Sequence, residues 1–100
     1  MDIVDLIVEK RDQIVQICTK HGARNVRIFG SCARDDYDEK SDVDVLFNLT
    51  TEKTGFAYVG RLCSLQDELE SILGVRVDLI DERALKGQSR QRILREAVAL

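Results

Sequence analysis

The sequence predicts an α/β fold, a small mixed β-sheet with helices mainly on one face. Segments with apolar residues at helical spacing alternate along the chain with short β-branched segments of period two. Leu, Ile, Val and Phe supply 32 of the 100 residues, enough apolar material to close a core although 33% of the chain is charged. The length, with no Pro, no Ser/Gly-rich tract and no internal period, predicts one domain over residues 1–100 and no repeat array. Such a core is small, so a partner's surface is expected to supplement it.

Asp2 is placed to cap a single long opening helix, in which Ile3, Ile7, Ile14, Ile17 and Cys18 recur at near-helical spacing and His21-Gly22 forms the stop. Asn25 to Phe29 alternates and runs into Gly30-Ser31, a strand followed by a sharp turn. Val43 to Phe47 reads as a second strand and Thr50 to Gly55 as a loop. Phe56 to Leu73 has the period of a helix packed on one side, with Gly74 where a left-handed stop belongs. Val75 to Ile80 alternates as a third strand, before a short helical turn from Asp81 and a basic amphipathic helix from Ser89. Cys18 and Cys63 fall on apolar helix faces and read as core, Cys32 reads as a small packing residue, and His21 reads as a structural helix-end residue.

A net charge of −3 excludes a general electrostatic glove for nucleic acid, and direct nucleic-acid binding is not expected. The charge is unevenly spread: Asp35 to Asp44 holds six acids against one Lys, while Arg83 to Arg95 holds five basic residues and no acid. That basic stretch is read as a solvated helix face, a lid over a bound anion or a docking surface. Three cysteines form no C-x-x-C pair and no even set, which predicts a reducing, cytoplasmic setting. No apolar run approaches the ~20 residues that span a bilayer, so no membrane partner is expected.

Side chains two apart on a strand share a face. Val43, Val45 and Phe47 are therefore expected in the core, with Asp42, Asp44 and Leu46 on the opposite face. On the third strand the same rule separates Asp78 from Val77 and Leu79. If these strands neighbour one another, Asp42, Asp44 and Asp78 meet on one polar surface. Like charges so placed repel, and a hard divalent cation such as Mg²⁺ or Mn²⁺ would neutralise them. The plainer alternative pairs these carboxylates with Arg27, Arg34 or Arg76. A calcium loop over Asp36 to Asp44 is excluded, because the required Gly and distal Glu are missing.

Gly30-Ser31 shifts the balance toward a site. Gly lets the backbone approach a phosphate, and Ser31 offers an N–H and a hydroxyl. At ordinary residue usage, G-S-x10-D-x-D arises by chance in roughly one chain in a thousand of this length. Arg34 lies three residues after Ser31, able to reach a phosphate or to pair with Asp38.

Gly30-Ser31, Asp42-Val43-Asp44 and Asp78 within Val-Arg-Val-Asp-Leu-Ile together resemble, in order and spacing, the minimal nucleotidyltransferase family of the DNA polymerase beta superfamily. The resemblance spans essentially the whole chain, and members of this size resemble the antitoxin half of HEPN/MNT toxin–antitoxin pairs. It implies a polymerase beta-like core and transfer of AMP from ATP to a hydroxyl. It implies Gly30, Ser31 and Arg34 as nucleotide-binding residues. Asp42, Asp44 and Asp78 would be catalytic carboxylates holding two Mg²⁺ ions, with Mn²⁺ as the substitute. The implied partner is a HEPN-domain RNase toxin modified on a tyrosine. The alternative is an antitoxin that neutralises its toxin by contact alone. One departure stands out: relatives commonly read G-S-x-A-R-G, whereas Arg34 is followed here by Asp35 and Asp36.

Overall fold

The computed structural model describes residues 2–49 and 55–100. Asp2 caps the first helix as expected, its Oδ1 accepting the Asp5 N–H at 2.9 Å. The single long opening helix is instead two, α1 (Ile3–Glu9) and α2 (Arg11–Lys20), hinged at Lys10 with φ −98° and ψ 14°. Lys10 N–H still reaches the Leu6 carbonyl and Ile14 N–H the Lys10 carbonyl, each at 2.9 Å, so the break is a bend. The core-facing stripe skips from Ile7 to Ile14, because the positions between them that a straight helix would turn inward are Lys10 and Arg11. The bend lets both isoleucines bury without them.

Strand β1 (Ala23–Phe29) begins two residues before the expected start. It leads into the four-residue helix α3 (Ser31–Arg34), and then to β2 (Val43–Leu49). Gly55 opens the long helix α4 (Gly55–Leu73); the remainder of the loop expected from Thr50 lies outside the described residues. Gly74 takes φ +71°, the left-handed stop expected there. β3 is Val77–Asp81, two residues later than the alternation suggested. Asp81 then caps the 3₁₀ turn Glu82–Ala84, and α5 is Gly87–Glu96. A final strand, β4 (Val98–Ala99), is a correction to the expected three-stranded sheet; two residues carry too short a pattern to be seen.

The sheet order is β3-β2-β1-β4. β1 pairs antiparallel with β2 and with β4, whereas β2 and β3 run parallel with α4 as the crossover. Val43, Val45 and Phe47 are buried against Ile7, Ile14, Cys18, Leu65, Leu69 and Leu73, so α1, α2 and α4 cover the face predicted as core. The other face is not simply solvated. Leu46 is fully buried outside that cluster, flanked by Arg27 on β1 and Ile80 on β3. Arg27 pairs with Glu82 of the 3₁₀ turn at 2.7 Å. The 3₁₀ turn therefore lies on the second side at the Phe47–Asp81 end of the sheet, and α5 after it carries Glu96 back to Gly30 at the end that bears Asp44.

Candidate active site

β1 ends at the bend. Gly30 has φ +74° and ψ −146°, a region closed to side-chain-bearing residues. A Cβ there would also collide with the carboxylate of Asp44, so the bend lies directly against β2. Ser31 opens α3, whose one turn is closed by Arg34 N–H to the Gly30 carbonyl at 3.0 Å. Asp35 follows at φ +63°. This explains the departure from G-S-x-A-R-G: the position is left-handed, Gly suits it best, and Asp is among the few other residues that tolerate it. The turn geometry survives the substitution.

The parallel register sets Asp44 beside Asp78, and the antiparallel register sets Asp44 opposite Phe29. Gly30, Ser31, Arg34, Asp42 and Asp44 line one open cleft of about 700 Å³, within the size range of ligand sites. Asp78 stands one strand away on the same face but is exposed, and it borders a smaller groove with Val59, Gln66 and Leu79. Among the described residues, no three acidic, His or Cys side chains converge on one point. Five of the six predicted site residues thus share a cleft, and the sixth adjoins it.

The electrostatics separate Asp44 from ordinary surface acids. The Asp44 carboxyl is pushed up to about 6, first by burial and then by the charges of Asp78 and Asp42, against the opposing pull of Arg34. Oδ1 of Asp42 lies 3.1 Å from Nε of Arg76, so the alternative ion-pair reading is partly realised. The pair does not have hydrogen-bond geometry, and this buried oxygen is left without a hydrogen-bond partner. A shielded carboxylate oxygen that lacks a hydrogen bond, beside a carboxyl pushed up by burial and its neighbours' charges, fits a cation: the donors are all hard oxygens, and a positive charge would relieve the repulsion.

Other expectations need revision. Arg34 pairs with Asp36 at 3.2 Å and Glu96 at 3.0 Å, not with Asp38, because α3 ends at Arg34 and no helix carries the i+4 partner into place. Cys63 is exposed, since α4 turns it away from the face that buries Leu65 and Leu69. Cys32 is buried and its thiol is pushed up to about 11 by burial and by Asp44, in keeping with a packing role. His21 caps the end of α2, as a structural helix-end residue should, and meets Glu68 at 3.0 Å. Sequence reasoning missed Arg92 and Glu96, which α5 brings into the cleft. Their i, i+4 spacing on the basic helix was visible, but its docking against the bend was not.

Comparison with known proteins gives the family and the fold. The Nucleotidyltransferase domain family matches residues 11–100. A Methanocaldococcus jannaschii protein with the provisional name protein adenylyltransferase is 37% identical over 92 residues, covering 92% of this chain and 95% of that one. The protein adenylyltransferase MntA of Thermococcus cleftensis is 33% identical over 95 residues, covering 87% and 92%. A solved structure provisionally described as a minimal nucleotidyltransferase superposes with TM-score 0.84 at 38% identity, over 100% of this chain and 97% of that one. A toxin–antitoxin complex with AMP-PNP (TM-score 0.70, 20% identity, 88% and 69% coverage) shares the fold. So does a complex of the tri-AMPylated Shewanella oneidensis HEPN toxin with its MNT antitoxin (TM-score 0.65, 17% identity, 92% and 69% coverage). The chain belongs to the nucleotidyltransferase-domain family, among its minimal nucleotidyltransferases.

Proposed function

We propose that this nucleotidyltransferase transfers AMP from Mg²⁺-bound ATP to a tyrosine hydroxyl of a HEPN toxin partner, and so acts as an antitoxin. The observation that carries the reading is the contact between the Gly30-Ser31 bend and Asp44. The N–H and hydroxyl of Ser31 and the carboxylates of Asp42 and Asp44 line the same cleft, which supports a triphosphate and its metal bound side by side. The relatives named as protein adenylyltransferases, and the fold shared with an AMPylated toxin complex, support the choice of nucleotide and acceptor.

Ser31 offers its N–H and hydroxyl to the phosphates from the start of α3, and Arg34 is within the same cleft. Asp42 and Asp44, with Asp78 from the neighbouring strand, would hold the Mg²⁺. When bound, the metal offsets the charge of the triphosphate and polarises the oxygens of an in-line displacement. In the reaction the acceptor oxygen bonds to the α-phosphorus, the bond to the pyrophosphate breaks with its electrons, and pyrophosphate leaves. The hydroxyl proton passes to a carboxylate; Asp78, exposed beside the cleft, is the acceptor-side candidate.

The test is incubation with Mg-ATP labelled at the α-phosphate and a purified HEPN partner. Label on the partner, lost in an Asp42→Ala/Asp44→Ala variant, is expected. Neutralised toxin carrying no label would replace the transferase reading with neutralisation by contact.

A further inference from the structure

The bend already holds an anion. Gly30 N–H donates to Oε1 of Glu96 at 2.8 Å, and Nη1 of Arg34 donates to the same oxygen at 3.0 Å. The Glu96 side chain is only 19% exposed and lines the cleft with Asp42 and Asp44. Capping the Gly30 N–H requires an oxygen but no charge, and the Arg34 guanidinium that Glu96 also meets already pairs with Asp36. A fourth carboxylate on a cleft that already contains Asp42 and Asp44 and adjoins Asp78 is electrostatically unfavourable unless something uses it. Arg34, meanwhile, is bracketed by Asp36 and Glu96, so its charge is already engaged. Arg92 lies one turn before Glu96 on α5, lines the same cleft, and has no ion pair among the described residues.

Carboxylate and phosphate oxygens compete for the same donors, a backbone N–H and a guanidinium fork. We propose that Glu96 is a resident anion in the phosphate subsite, displaced from Gly30 and Arg34 by an incoming polyphosphate that then also pairs with Arg92. The inference rests on the nucleotidyltransferase reading of the cleft. The exchange is a side-chain rotation, because the backbone at Glu96 is held on both sides. Ala97 N–H bonds to the Ile93 carbonyl at 2.9 Å, and Val98 and Ala99 pair with β1. Glu96 thus satisfies the donors that a phosphate would take over, with α5 and β4 staying in place.

The experiment titrates the full chain with ATP and, separately, with inorganic tripolyphosphate, which has no base to contribute. Glu96→Gln is expected to lower both Kd values on the order of tenfold, and Arg92→Gln to raise them by a similar factor. Loss of a negative charge alone would also tighten binding somewhat, so a second measurement uses the unaltered chain. At saturating tripolyphosphate the Gly30 amide and the Glu96 side-chain carboxyl resonances must both move. Unchanged or weaker binding by Glu96→Gln overturns the proposal, as do unmoved Gly30 and Glu96 signals at saturation; Glu96 then only braces the bend. In either case ATP binding by the unaltered chain leaves the transferase reading standing. No ATP binding by the unaltered chain or by Glu96→Gln removes that reading and this proposal together.

Discussion

Asp44 and Asp81 sit on neighbouring strands, and their surroundings have opposite effects. Asp81 is 6% exposed, yet its carboxyl is held below the usual range. Burial pushes it up, but hydrogen bonds from Arg83, through both backbone and guanidinium, and from the Tyr58 hydroxyl outweigh burial. Asp44 is less buried, has no hydrogen-bond donor to its carboxylate among the described residues, and faces Asp42 and Asp78. One end of the sheet satisfies its acid internally; the other leaves it without a hydrogen-bond donor among the described residues. An acid that costs stability where it stands, beside a bend that only Gly can make, marks a site, whereas a buried and fully paired acid marks architecture.

Substitutions should separate the two regions, the largest effect coming from Asp44 itself. Asp44→Asn is expected to lower label transfer by on the order of 10²–10³-fold while leaving the melting temperature unchanged or higher. Transfer within a few-fold of the unaltered chain would place the chemistry elsewhere. Gly30→Ala comes next. Both the positive φ and the collision with Asp44 oppose it, so transfer should fall to a comparable degree with a stability loss of about 1–3 kcal/mol. Thermal melting and the transfer assay together read this.

Asp81→Asn should do the reverse of Asp44→Asn. A loss of about 1–3 kcal/mol is expected in urea denaturation, with transfer per folded molecule unaffected, because Arg83 and Tyr58 lose a charged acceptor. The smallest effect lies in the pH profile. The folded Asp44 carboxyl holds its proton to about pH 6, above its value in the unfolded chain, so acidification from pH 7 toward 4 stabilises the fold through this group. The open cleft screens the effect, leaving on the order of 1 kcal/mol. Asp81 has the opposite sign: its stabilisation is present above its unfolded value near 4 and is lost as pH falls through its lower folded value. Glu82, held low by Arg27, shares that acid limb. Urea midpoints across pH 3 to 7 should therefore rise and then fall on acidification, and Asp44→Asn should remove only the rise.

Local sequence determined much of this molecule. Period-two alternation put Val43, Val45 and Phe47 inside and Asp42 and Asp44 outside, and the Asp2 cap and Gly74 stop stand where local chemistry requires them. The strand starts moved by two residues because cross-strand pairing, not alternation, decides where a ladder begins. Lys10 and Arg11 interrupt the apolar stripe of the first helix, yet only packing shows that the interruption becomes a bend. Tertiary structure alone decided which donors are free at the bend. Ser31, Asp42 and Asp44 could be named from spacing, because a strand and a turn place side chains by local geometry. Glu96 and Arg92 could not, because a contact across 66 residues depends on how the last helix docks, and no local pattern encodes that.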